Sequence, residues 1–99
     1  MKRTEIYRLP PKLELKGAEE ERILRKEVND FLRKNYIDLE TINPMKYLHE
    51  ENGSLMLIEY GEDDCHHKAV RIQITSKHVE TPKELSDLLV SKGFVRVQK

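Results

Sequence analysis

Asn52-Gly53 lies between two apolar-rich runs, Met45 to His49 and Leu55 to Tyr60, and no other feature of the chain narrows its fold as much. Both residues accept the positive φ of the two-residue turn whose twist matches antiparallel strands. The dipeptide therefore predicts a hairpin. A lone hairpin is at best marginal in water and needs more strands or a helix on its apolar side. In the second run, Leu55, Met56, Leu57, Ile58 and Tyr60 are apolar or aromatic, which predicts a central strand covered at least in part on both faces.

The remaining strands are visible elsewhere. Ala69 to Thr75 alternates, with Val70, Ile72 and Ile74 on one side and Arg71, Gln73 and Thr75 on the other. Thr4 to Leu9 carries Ile6, Tyr7 and Leu9, and Pro10-Pro11 ends it because proline lacks the N–H that a ladder needs. Leu13 and Leu15 suggest a short extended continuation, broken by Gly17. Ile37 to Ile42 reads as a short strand or an irregular connector, interrupted by Pro44, and Phe94 to Val97 as a closing strand.

Two segments change period. Leu24, Val28, Phe31 and Leu32 mark the apolar stripe of an amphipathic helix from Ala18 to about Asn35. Glu19, Glu20 and Glu21 suit the positive end of its dipole, Arg33 and Lys34 suit the negative end, and Asn35 is the expected left-handed cap. A second helix is signalled by Thr81 as N-cap, Pro82 as first residue and Glu84 completing a capping box. Leu85, Leu88 and Leu89 form its stripe, and Gly93 is the expected terminator. The order is β-α-β-β-β-α-β. It predicts a single α+β domain over residues 1–99, a two-layer sandwich with a mainly antiparallel sheet of four to five strands and two helices on one face. The other face is then wet or meets a partner.

The apolar share of 37% against a charged share of 36% would by itself suit disorder, but the apolar residues are periodic rather than scattered. Lys plus Arg equals Asp plus Glu at 18 each, so there is no global pull toward nucleic acid or an anionic membrane. The charge is unevenly spread: residues 1–16 carry five basic and two acidic groups, residues 41–67 one and six, and residues 68–99 seven and three. One cysteine, Cys65, permits no internal disulfide and fits a reducing compartment. Thr4-Glu5 after Met1-Lys2-Arg3 does not begin a leader peptide, and the run Leu55 to Ile58 is far short of the ~20 residues of a spanning helix. A cytoplasmic chain with no membrane contact is expected.

Asp63-Asp64-Cys65-His66-His67 is the most chemical-looking stretch. In an extended loop Cys65 and His67 point the same way and His66 the opposite way, so only part of the cluster could converge on one ion. His49 and His78 are isolated and no second ligand pair follows, so the expectation is a solvated loop without metal or other cofactor. Cys65 lacks an orienting base fixed by geometry. Ser86-Asp87, with Ser76 and His78, has no nucleophile elbow, and Gly17, Gly53, Gly61 and Gly93 are too dispersed to cradle a phosphate. No catalytic residues are assigned, and a metal-dependent or thiol enzyme ranks third.

The leading expectation is a small non-enzymatic protein–protein interaction module: an adaptor, inhibitor or regulatory subunit. Its Lys-, Glu- and Ile-rich usage suits a low-GC bacterium or its phage. Candidate contacts are an exposed edge strand and the acidic set Glu50, Glu51, Glu59, Glu62, Asp63 and Asp64. The runner-up is a nucleic-acid-binding domain using a basic sheet face. The basic ends offer Lys2, Arg3, Lys12, Lys16 and Lys99, and Tyr7, Arg8, Arg71 and Arg96 could share an open face if the first, fourth and last strands adjoin. Homodimerisation is a further form of the first reading, with Tyr36, Met45, Tyr47 and Met56 as apolar side chains in excess of what one helix layer needs to cover.

Overall fold

A computed structural model describes residues 3–9, 18–42, 44–62, 68–75 and 80–97. The elements are β1 (Arg3–Arg8), α1 (Ala18–Asn35), β2 (Ile37–Asp38), β3 (Met45–Glu51), β4 (Ser54–Glu62), β5 (Lys68–Ile74), α2 (Lys83–Ser91) and β6 (Val95–Val97). The six strands form one antiparallel sheet in the order β2-β3-β4-β5-β1-β6. The fold is the expected α+β class. The additional strand is β2, two residues paired with Leu48 and Tyr47 at the sheet edge. The continuation at Leu13 and Leu15, the loop from Asp63 to His67, the pair Ser76 and His78, and Lys2, Lys12, Lys16 and Lys99 lie outside the described residues.

The hairpin forms as its turn demands. Asn52 has φ 50 and Gly53 φ 79, and Glu51 pairs with Ser54. From there β4 pairs along its length with β3 and β5. The β2–β3 connector is irregular for a local reason. Glu40 takes φ 58, its N–H donating to Asp38 Oδ1 at 2.7 Å, while Thr41 accepts from the Lys46 N–H at 2.8 Å and donates to the Pro44 carbonyl at 2.9 Å. Pro44 crosses close to β4: a Cβ on Gly61 would meet Pro44 Cβ at 2.9 Å, so only glycine fits there.

Alternation decides which side the helices take. Tyr47, Met56, Ile58, Tyr60, Val70, Ile72, Ile74 and Tyr7 share one sheet face by register, and all are buried with Leu24, Val28 and Leu32 of α1 and Leu85 and Leu89 of α2. Both helices therefore cover the same side. Polar tethers fix them. The Tyr47 hydroxyl donates to Asn29 Oδ1 at 2.8 Å in the buried layer, and Asn29 Nδ2 donates to the Arg25 carbonyl at 2.9 Å. The Tyr7 hydroxyl donates to Ser86 Oγ at 3.2 Å, and Lys92, just after α2, donates to Glu27 of α1. The Tyr47 hydroxyl and the Asn29 amide thus have the partners that low-dielectric burial requires.

Two local expectations differ from the structure. Asn35 is not left-handed; it ends α1 in helical conformation, its side-chain amide donating to the Phe31 carbonyl at 2.8 Å. The capping box at α2 does not form. Pro82 occupies the N-cap, no side chain caps the helix, and Thr81 Oγ1 instead donates to Glu5 Oε1 at 2.7 Å. The buried carboxylate outcompetes the helix end because a hydrogen bond to a charged acceptor is the stronger of the two. The second face of β4 is covered only in part, as expected: Leu55 remains 43% exposed and Leu57 is half-buried. Gly93 terminates α2 as expected, at φ 94.

Thr81 therefore couples energetically to Glu5 and not to Glu84. A double-mutant cycle on urea denaturation, pairing Thr81→Val with Glu5→Gln, is expected to show a coupling of about 1 kcal/mol, whereas Thr81→Val with Glu84→Ala shows none beyond error. Coupling of Thr81 to Glu84 alone would restore the capping box.

Candidate interaction surface

The face of the sheet turned away from the helices carries Ile37, Leu48, Leu57, Gln73 and Thr4 in one cross-strand row and Lys46, Glu59, Arg71, Ile6 and Val97 in the next. Glu50 pairs with Leu55 toward the hairpin, and Val95 lies opposite Arg8. Ile37, Leu55 and Val95 are 61%, 43% and 53% exposed. Among the described residues no element covers this face. It combines apolar side chains with charges of both signs, a mixture that suits reversible contact with another surface better than permanent burial.

The acidic set does not converge. Glu50 and Glu51 sit at the hairpin end of β3, while Glu62 ends β4 at the opposite end of the sheet. Glu50 and Glu59 belong to the open face, but Glu51 and Glu62 fall on the helix side by alternation. Glu59 lies in register between Lys46 and Arg71, so it is part of a mixed row rather than of an acidic patch. Glu62 is 3.5 Å from Lys68. Asp63 and Asp64 lie outside the described residues, as do Cys65, His66 and His67, the loop considered for metal. Among the described residues no group of three or more His, Cys, Asp or Glu side chains is placed to hold a metal ion.

The basic set divides as well. β1 does adjoin both β5 and β6, yet Tyr7 and Arg96 project to the helix side, whereas Arg8 and Arg71 project to the open side. Tyr7 is 3% exposed and bonded to Ser86, so it offers no platform on which a base could stack. The reason is register: Tyr7 pairs with Val70, a core residue, and alternation takes its neighbours the other way. The apolar side chains considered for a dimer are likewise accounted for. Tyr47 and Met56 are core residues, and Tyr36 and Met45 pack against the core.

Among the described residues, two polar concavities open on the helix side. One, about 150 Å³, is lined by Arg3, Glu5, Tyr7, Glu80, Thr81, Ser86 and Arg96. Glu5 is at its base, 6% exposed, with Arg3 at 3.1 Å and Arg96 at 3.7 Å in addition to the Thr81 hydroxyl. Its carboxylate is compensated by this surround, which stitches β1, β6 and the start of α2 together. The other, about 350 Å³, lies between Arg25, Ile42, Met45, Tyr60, Gly61, Glu62 and Lys68. Neither brings a nucleophile, a base and an oxyanion donor together.

Sequence reading missed the open-face residues Ile6, Ile37, Leu48, Leu55, Leu57, Val95 and Val97. The signal was present in Leu55 to Ile58, where apolar residues occupy both alternation phases and predict a strand covered at least in part on both faces; nothing local marks the apolar side chains that β1, β2, β3 and β6 add to the same open face. Comparison with protein families, curated proteins and solved structures returns no match to this chain. No helix among the described residues is long and apolar enough to cross a membrane.

At the hairpin end of the helix layer, the Tyr36 ring meets His49 edge-on at 5.0 Å and Phe31 at 6.3 Å. Burial, with smaller contributions from the negative charges of Glu84 and Glu51, pushes the Tyr36 phenol up to about 12 from 10.0. The folded state thus holds the phenolic proton more tightly than the unfolded chain. That stabilisation is complete below pH ~10 and is lost as pH rises through about 12. Urea denaturation from pH 9 upward is expected to show stability falling across this window, less steeply in Tyr36→Phe; equal slopes in both proteins would contradict it.

Proposed function

We propose that this chain is a small non-enzymatic interaction module, an adaptor, inhibitor or regulatory subunit, that binds a protein partner through the open face of its sheet. The observation that carries the reading is the exposure of Leu55, Ile37 and Val95 on a face that also bears Leu48, Leu57, Ile6 and Val97. A sheet face of this kind packs on a second surface about 10 Å away, burying its apolar side chains against it. The affinity would come from Leu57 and its neighbours near the centre, and the choice of partner from Lys46, Glu50, Glu59 and Arg71 around them. The division of Tyr7 and Arg96 from Arg8 and Arg71 favours this reading over a basic nucleic-acid face.

Leu57→Arg tests the reading, because it places a charge in the middle of the face without touching the core side of β4. The wild-type chain purified from its native cells is expected to carry a protein partner in fixed stoichiometry. Leu57→Arg is expected to weaken that binding by about 2 kcal/mol or more, roughly 30-fold, with an unchanged far-ultraviolet circular dichroism spectrum. Partner binding that survives Leu57→Arg, or tight retention on heparin that falls steeply with salt, would contradict the reading.

A further inference from the structure

The open face is complementary to itself. Glu59 on β4 and Arg71 on β5 are cross-strand neighbours on either side of the midline of the sheet, which has β2, β3 and β4 on one side and β5, β1 and β6 on the other. Neither forms an ion pair with another described residue. Consider a two-fold axis running parallel to the strands between β4 and β5, in the plane where two such faces meet. Rotation about it lays β4 of one copy over β5 of the other, and β3 over β1. Glu59 of each copy then faces Arg71 of its mate, giving two reciprocal pairs of opposite charge. The same rotation lays the edge strand β2 over β6, with Ile37 and Val97 in neighbouring rows two residues apart along the strands. Self-matching of this kind is what a two-fold interface requires, since one patch serves both partners.

The area is adequate. Six strands spaced ~4.8 Å apart, each contributing residues at ~3.4 Å, make a face of roughly 500 Å² per copy and about 1,000 Å² for the pair, the lower bound for a specific interface. Two twisted sheets stacked face to face cross at about −30°, which leaves the central pairs in contact while splaying the corners. From these observations we infer that the partner on the open face is a second copy of this chain, held as a two-fold dimer by stacked sheets with Glu59 set against Arg71. The inference rests on the open face being the binding surface, and it names the occupant.

The test is the association state of the full chain, measured by sedimentation equilibrium over a concentration series. The wild type is expected to pass from monomer to dimer with a micromolar constant. Glu59→Arg and Arg71→Glu each place like charges across the interface in both pairs, and each alone is expected to weaken self-association by about tenfold or more. Mixed in equal amounts, the two variants regain opposite charges at both pairs and are expected to form a heterodimer, detected by native mass spectrometry from their different masses. This rescue separates an interface effect from damage to the fold, which mixing would not repair. A dimer indifferent to either reversal, or variants that remain apart on mixing, overturns the inference. A wild type that stays monomeric to about 1 mM overturns it too, but leaves the interaction reading to stand or fall on the Leu57→Arg comparison.

Discussion

Burial of one face of the sheet under two helices is the constraint from which the rest of the molecule follows. A strand directs successive side chains to opposite sides, so committing Tyr47, Ile58, Ile72 and Glu5 to the helix layer commits Lys46, Leu48, Leu57, Glu59 and Arg71 to the other. A slip of one residue would exchange the two sets and place Arg71 and Glu59 in the core. The register is therefore strongly specified, and with it the composition of the open face.

The helix layer is held by packing and placed by polar contacts. Val28, Leu32, Leu85 and Leu89 are fully buried and supply the apolar surface. The bonds from Tyr47 to Asn29, from Tyr7 to Ser86 and from Thr81 to Glu5 each join a helix, or the residue leading into it, to a different strand position. Each is modest in net energy, about 1 kcal/mol, but an unmade one would strand a buried polar atom at a greater cost. They therefore penalise rotations or slides of the helices that apolar packing alone would tolerate. Burial of Glu5 follows the same logic: the carboxylate is tolerated because Arg3, Arg96 and Thr81 surround it.

Much of this was legible from sequence because local patterns and the fold agree. Asn52-Gly53 fixes a hairpin by backbone conformation alone, Val70-Arg71-Ile72-Gln73-Ile74 announces a half-buried strand, and the Leu24 and Leu85 stripes announce helices. What was not legible depends on contacts between segments far apart in the chain. Thr81 sits where a capping residue belongs, but its partner is Glu5, 76 positions away, and no local rule anticipates that competition. Tyr7 looks like a surface aromatic among basic residues until its pairing with Val70 assigns it to the core. The acidic residues looked like one patch because they are close in sequence; alternation and the length of β4 separate them. The open face itself was expected, from the Arg71, Gln73 and Thr75 side of the fifth strand and from two helices on one face, but its apolar members outside β4 were not, because only the pairing of β1, β2, β3 and β6 brings them onto that face.

The most direct test of one-sided burial compares adjacent positions on β4. In a Cys65→Ser background, Leu57→Cys and Ile58→Cys place a single thiol on opposite faces of the same strand. Thiol labelling rates should be measured in native buffer at nanomolar protein, where any self-association is dissolved. The account predicts rapid modification at position 57, within about tenfold of a free thiol. At position 58 it predicts modification slower by about three orders of magnitude, limited by opening of the fold. Equal protection at both positions would mean that the sheet is covered on both sides, and equal reactivity would mean that the helix layer is not in place.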